Sequence, residues 1–223
     1  QGASDARPAV TVEMAPPAPT PEVKTDAEAQ AGGGGHEALT QLDANKTTHT
    51  LTEQAVDQAI TERERREFEK AEHALKNAIK EIPELSQLLG QLIIDHTPEG
   101  MRIHLVDQDD RPMFKIGTAQ AFARTYALFS EISKVINRLP NRIAISGHTD
   151  AKPFRRIDGA DNWELSMERA MVSRRALQDS GINQKRFFQV SGKADTEPLF
   201  PDDPFLPGNR RISITLMREA PAL

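Results

Sequence analysis

The sequence predicts an α/β protein: a two-layer sandwich of helices on a mixed β-sheet, preceded by a long helix and a disordered linker. Three observations predict it. Short segments of strand length, β-branched or alternating in polarity, recur at Met101–Leu105, Ile143–Ile145, Arg186–Val190 and Ile212–Leu216. Amphipathic helical patterns lie between them, over Phe122–Leu139 and from Asp161 to about Ser180. Strands alternating with helices in this order build one sheet covered by helices.

Taken from the N-terminus, Gln1–Gly35 is rich in Pro, Ala, Glu and Gly, ends in Gly32-Gly33-Gly34-Gly35, and carries almost no large apolar side chain. Such a segment has too little to bury to fold by itself. It reads as a flexible linker running to about residue 50, extensible enough to let the folded part reach a distant surface. From about Leu51 to Leu92 the pattern turns helical. Phe68, Ala71, Leu75, Ala78, Ile79 and Ile82 recur at three- and four-residue steps, with Glu62, Arg63, Glu64, Arg65 and Arg66 among the charges on the other faces. Pro83 interrupts this helix, and Leu85, Leu88, Leu89, Leu92 and Ile93 resume it. Residues 51–96 are therefore a helical linker region, whose apolar stripe covers either its own domain or a partner helix in a dimer.

Residues 97–223 form the folded domain. Met101, Ile103 and Leu105 alternate with Arg102 and His104, the mark of a half-buried strand. Phe122, Tyr126, Phe129, Ile132, Ile136 and Leu139 mark a helix ended by Pro140. Ile143 and Ile145, between Pro140 and Gly147, form a buried strand, which places Asp150 just past a strand end. Asp161 or Asn162 caps the next helix, Asp161 and Glu164 have capping-box spacing, and Gly181 stops it. On that helix Asn162, Leu165, Ser166 and Arg169 share one face, close to the Asp150 loop.

The chemistry concentrates in Gly147-His148-Thr149-Asp150 and in Arg169. An arginine keeps its charge at any pH and can grip a carboxylate through two parallel hydrogen bonds. A partly desolvated aspartate needs a compensating cation or donor. A loop aspartate set against a helix arginine can thus hold a ligand that carries both an ammonium and a carboxylate. The simpler account is that Asp150 and Arg169 pair with each other.

Other classes find less support. The chain has no cysteine, so no disulfide or thiol chemistry is available. His96, His104 and His148 are not spaced as a zinc set, and neither a metal nor a cofactor is expected. Asp150 and Glu164 could stand as the two carboxylates of a glycosidase, but nothing raises either into a burial-shifted acid. Ser146 and Ser166 lack a nucleophile elbow. No stretch approaches the roughly 20 apolar residues of a membrane helix. Of the net −5, residues 97–223 carry 19 Lys and Arg against 16 Asp and Glu, a net of +3, and the first 96 carry 9 against 17, a net of −8. The folded part is mildly basic, yet it has no basic run with interleaved aromatics and no recognition helix, so no nucleic-acid partner is expected.

Gly-His-Thr-Asp after a strand, Asn162-x-x-Leu165-Ser166-x-x-Arg169-Ala170 on a helix, Gly192, and a late Asn209-Arg210-Arg211-Ile212 strand together resemble the OmpA-like peptidoglycan-binding domain, over roughly Glu99–Met217. The resemblance implies that Asp150 binds the amine and Arg169 the carboxylate of diaminopimelate in the stem peptide of the cell wall. Thr149, Asn162, Leu165 and Ser166 would stand beside them, and Arg210 would be a more marginal member. It also implies a protein that is not an enzyme. The stretch from Ala151 to Asp161 is longer than the loop of the outer-membrane members. With Trp163, Arg111-Pro112-Met113-Phe114 and Asn141-Arg142-Ile143 it is similar to the MotB branch, the anchor subunits of the flagellar stator.

That branch implies a homodimer and the periplasmic part of an inner-membrane protein. Its partners would be peptidoglycan, a MotA-type channel subunit reached through a membrane helix outside this chain, and flagellar basal-body ring proteins. The chain starts at Gln1 without a methionine and reads as an excised fragment. A mildly basic domain suits encounter with an anionic polymer. Two alternatives stand beside this expectation: a wall anchor of an outer-membrane protein or lipoprotein, and a hydrolase of the same polymer.

Overall fold

Helix α1 (Glu37–Glu81) and the short α2 (Pro83–Ser86) precede a hairpin of β1 (Leu92–Thr97) and β2 (Gly100–Val106); α3 (Ala123–Ile136), β3 (Ile143–His148), α4 (Asn162–Asp179), β4 (Phe187–Gly192) and β5 (Arg211–Met217) follow. The computed structural model describes residues 37–219, with side chains from residue 55 onward. The linker expected over Gln1–Gly35 lies outside the described residues.

The five strands form one mixed sheet in the order β1-β2-β5-β3-β4. Only β3 and β4 run parallel, joined through α4; β5 enters between β2 and β3 and is antiparallel to both. Period-two alternation sorts the side chains. Ile103, Leu105, Ile143, Ile145, Ile212, Ile214 and Leu216 point to one face and form the core with Leu128, Phe129, Ile132 and Ile136 of α3 and with Ala170, Ala176 and Leu177 of α4. Arg102, His104, Ser146, His148, Arg211 and Ser213 occupy the alternate positions and face away from the helices.

The boundaries of α4 agree with the sequence pattern, whereas α3 ends at Ile136, short of the Leu139 expected before Pro140. Asp161 caps α4 in a complete capping box, with Trp163 N–H donating to its carboxylate and Glu164 accepting from its backbone N–H. Gly181 ends the helix at φ 102°, in the left-handed region. Two expectations need correction. Helix α1 starts at Glu37 rather than near residue 51, because no Gly or Pro interrupts the chain between Gly35 and Pro83. Leu92 and Ile93 do not resume a helix. They open β1, an edge strand whose Leu92 lies opposite Leu105 and Ile94 opposite Ile103. The leucine spacing over Leu85–Leu92 imitates a helix, but Gly90 and the β-branched Ile93-Ile94 favour the extended chain once β2 offers a partner.

A domain start at residue 97 consequently falls inside the sheet. The stripe of α1 is also part of the domain: Phe68, Leu75 and Ile79 belong to the core cluster. Glu64 fastens the helix polarly, accepting from Asn141 Nδ2 at 3.1 Å and from Glu219 N at 2.8 Å, and Glu72 contacts His96 at 2.8 Å. Truncating Leu75, which is fully buried, to Ala should cost about 2–5 kcal/mol in urea unfolding. Val56→Ala on the exposed stretch of the same helix should stay within about 0.5 kcal/mol. Equal effects would mean that α1 is not docked.

Candidate ligand-binding site

The strand ends place the site. β3 terminates at His148, and the residues on either side of Asp150 are clamped by the loop leading into β5: Thr149 N donates to Ala194 O at 2.8 Å and Ala151 N to Pro204 O at 3.0 Å. Helix α4 approaches this end of β3 unusually closely, because a Cβ on Gly147 would lie 2.1 Å from Ser166 O. Only glycine permits that approach. It brings Arg169, one turn further along α4, to the level of Asp150.

Asp107, just past the end of β2, Asp150 past β3 and Arg210 at the entry to β5 meet in one network. Arg210 donates from Nη1 to Asp150 Oδ2 at 2.8 Å and from Nε to Asp107 Oδ2 at 3.1 Å. Asp107 Oδ1 also accepts from Met113 N at 2.7 Å, and Asp150 Oδ1 from Lys152 N at 3.3 Å. Burial pushes the Asp107 carboxyl above its ordinary range, against the Met113 amide and the Arg210 guanidinium, which favour the ion. Burial also works against the charge on Arg210, but its bonds to Asp150 and Asp107 outweigh that and raise its pKa.

Arg169 is arranged differently. It is only 6 % exposed, its Nε donates to Thr118 O at 3.0 Å, and its guanidinium stands 5.1 Å over the Phe114 ring. Among the described residues it makes no ion pair. Burial lowers its pKa, with Arg210 adding to the effect and Asp107 and Asp150 opposing it. The simpler account, in which Asp150 and Arg169 pair with each other, does not hold: Arg210 takes Asp150, and among the described residues Arg169 bonds only through Nε. Arg210, expected as a weaker member of the set, bonds to both Asp150 and Asp107.

These groups line a cavity of about 350 Å³. Of the residues expected from the sequence, Thr149, Asp150, Asn162, Leu165, Arg169 and Arg210 line it. Thr149 Oγ1 is buried there without a partner among the described residues. Ser166 does not line it. Its hydroxyl donates to Trp163 O and accepts from Ala194 N at 3.1 Å, which ties α4 to the turn after β4. Sharing a helix face with Arg169 placed Ser166 near the site, but α4 turns that position into the β3–β4 junction.

Sequence reasoning missed Asp107, Asp109, Ile116, Gly117 and Lys152, all of which line the cavity. Asp107 had a readable signal, since it follows an apolar strand just as Asp150 does. The long loop after Asp150 folds back on α4 through Arg156, which grips Glu168 with Nη1 and Nη2 at 3.0 and 2.9 Å and Asp158 with Nε at 2.9 Å. The loop thereby brings Phe154 to the cavity wall beside Gly117.

The lining holds three carboxylates, Asp107, Asp109 and Asp150, and three cations, Lys152, Arg169 and Arg210. A site so balanced favours a ligand that carries both signs over a simple anion or cation. Its buried cationic head without an ion pair among the described residues is Arg169, and its acidic head is the Asp150 carboxylate, whose oxygens retain unused lone pairs.

Comparison with known proteins follows the same outline. The OmpA family matches residues 113–205. Motility protein B of Escherichia coli (strain K12) is 34% identical over 189 residues, which cover 84% of this chain and 59% of that protein. A putative truncated flagellar export/assembly protein LafU of the same strain is 33% identical over 146 residues, covering 66% of this chain and 69% of the relative. Among solved structures, the periplasmic domain of Helicobacter pylori MotB superposes with a TM-score of 0.51 at 22% identity, over 58% of this chain and 80% of that one. The chain thus spans little more than half the length of the full motility protein it matches.

The close approach at Gly147 gives a test of how the site is built. Gly147→Ala forces α4 away from β3 and should lower stability by about 1–3 kcal/mol in urea unfolding, the scale of overpacking. A neutral substitution would mean that α4 does not sit this close.

Proposed function

The chain belongs to the OmpA family, in its motility protein B branch, and from that premise we propose that it is a non-enzymatic peptidoglycan-binding module that anchors a flagellar stator to the cell wall. One observation carries the reading: a buried arginine without a counter-ion faces an aspartate across a charge-balanced cavity. The ligand is the diaminopimelate of the stem peptide. Arg169 receives its carboxylate in a fork of two hydrogen bonds, and Asp150 accepts from its ammonium while Arg210 holds the aspartate in place. Asn162 and Thr149 lie beside these two heads. Phe114, Phe154 and Leu165 cover the aliphatic stem between them.

The setting is the periplasmic part of an inner-membrane protein. A MotA-type channel subunit, flagellar basal-body ring proteins and a second copy of the chain are its partners. The reading rests on the motility relatives and on the ligand chemistry of the cavity. Among the described residues no helix is long and apolar enough to cross a membrane.

Arg169→Ala should leave the domain folded, because the arginine pairs with no carboxylate, yet abolish co-sedimentation with purified sacculi. Retained pelleting would overturn the assignment. Asp150→Asn should weaken binding of the free stem peptide by about 1–3 kcal/mol, the scale of hydrogen bonds to charged groups, measured by calorimetry on protein whose melting curve shows it folded. An unchanged affinity would place the ammonium elsewhere.

A further inference from the structure

The face of the sheet turned away from the helices holds a second concavity, of about 340 Å³, which the wall-binding reading does not use. Cross-strand register builds it. His104 lies opposite Ser213, Ser213 opposite Ser146, and Arg211 opposite His148. His104 Nδ1 meets Ser213 Oγ at 2.7 Å, its Nε2 lies 3.3 Å from Asp95, and Ser146 Oγ meets His148 Nε2 at 3.0 Å.

Two buried nitrogens are left over. His148 Nδ1 and Arg211 Nε have no partner among the described residues, although His148 is 3 % and Arg211 6 % exposed. The terminal nitrogens of Arg211 bond only to carbonyls, Glu197 O at 2.7 Å and Asn209 O at 3.3 Å. The two carboxylates of the lining are already engaged by cations at its rim: Glu99 binds Arg102 at 2.5 Å, and Glu197 binds Lys193 at 2.8 Å. The innermost cation therefore has no carboxylate in contact.

The electrostatics agree. Burial, followed by Arg211, holds His104 down to about 4, against the pull of Asp95. Burial and the positive charge of Arg211, His104, Lys193 and Arg102 hold His148 down to about 3. Burial brings Arg211 down to about 10, with Arg102 adding to the effect and Glu197 opposing it. This is the environment of a cationic basin that lacks its anion.

We propose that this basin is a second binding site, for an oxyanion of the phosphate or carboxylate type, seated against Arg211 and His148 and drawn in past Arg102 and Lys193. The volume leaves room for a larger molecule to present that group. Hydroxyls on the walls, Ser191 and Thr215 among them, suit a hydroxylated carrier.

The test follows the histidine ring signals of the full chain by NMR while inorganic phosphate, acetate or chloride is added at matched ionic strength. Phosphate, acetate or both should move the His148 and His104 signals and raise the pH at which they titrate; which of the two does so identifies the group. The sign for stability is fixed. Both imidazoles are depressed from 6.5 in the fold, so the stability they contribute is present above 6.5 and lost as pH falls toward about 4 and about 3. The bound anion should lessen that loss in thermal melts relative to chloride. Arg211→Gln should abolish the response. Should that variant fail to fold, Arg102→Gln with Lys193→Gln, both at the rim, should weaken it several-fold. Signals that stay still, that respond equally to chloride, or that respond to the anion unchanged in these variants would overturn the proposal.

Discussion

The bridge from Arg210 to Asp107 and Asp150 is the contact on which the site depends. It joins the C-terminal ends of β2 and β3 through the residue that leads into β5, the strand paired to both. Asp107 is almost wholly buried and Asp150 only slightly less so. Two carboxylates this close to each other in a desolvated place repel, and one guanidinium with a planar fork of donors is what makes the pair tolerable. A lysine there would offer a point charge and could not reach both with directed bonds. Backbone contacts reinforce the bridge, since Asp107 N donates to Arg210 O at 2.9 Å.

Once Arg210 is committed to the two acids, Arg169 is, among the described residues, the buried cation of the lining left without a counter-ion. Burying a guanidinium with one carbonyl and an aromatic face for company costs stability. The nearby negative charge of Asp107 and Asp150 offsets part of that cost without neutralising Arg169 by contact. A ligand carboxylate entering the cavity meets a cation that has already been desolvated and is fixed through Nε by Thr118 O. The fold has then met much of the expense of ordering and desolvation before the ligand arrives, which is how preorganisation favours affinity.

Local grammar made most of the domain readable: the capping box at Asp161, the Gly181 stop, the alternation of β2 and β5, and the helical stripe of α3 are properties of short windows. What depended on tertiary partners was harder to read. Leu85–Ile93 has helical spacing, and only pairing with β2 makes its end a strand. Asp150 and Arg169 were legible as a juxtaposition, because both lie near the same strand end. Their relation to each other was not, because Asp107 and Arg210 decide it from positions 103 residues apart in the chain. Ser166 shows the limit of a shared helix face, which gives direction from the axis but not what that direction meets.

The same strand entry explains why each face of the sheet carries an arginine at this end. Arg210 and Arg211 are consecutive residues in extended chain, so their side chains must leave on opposite sides. Asn209, fully buried, holds the preceding loop through Phe200 N at 2.8 Å and Asp203 O at 2.9 Å, which fixes where the pair begins. Arg210 turns toward the helix side and is saturated by two acids. Arg211 turns toward the open side and meets only carbonyls. A shift of register by one residue that carried Arg210 to the open face would put Asn209 on the helix side and leave Asp107 and Asp150 without their guanidinium. The order Asn209-Arg210-Arg211 thus sets the electrostatics of both basins through one geometric rule, and a change of register here moves both together.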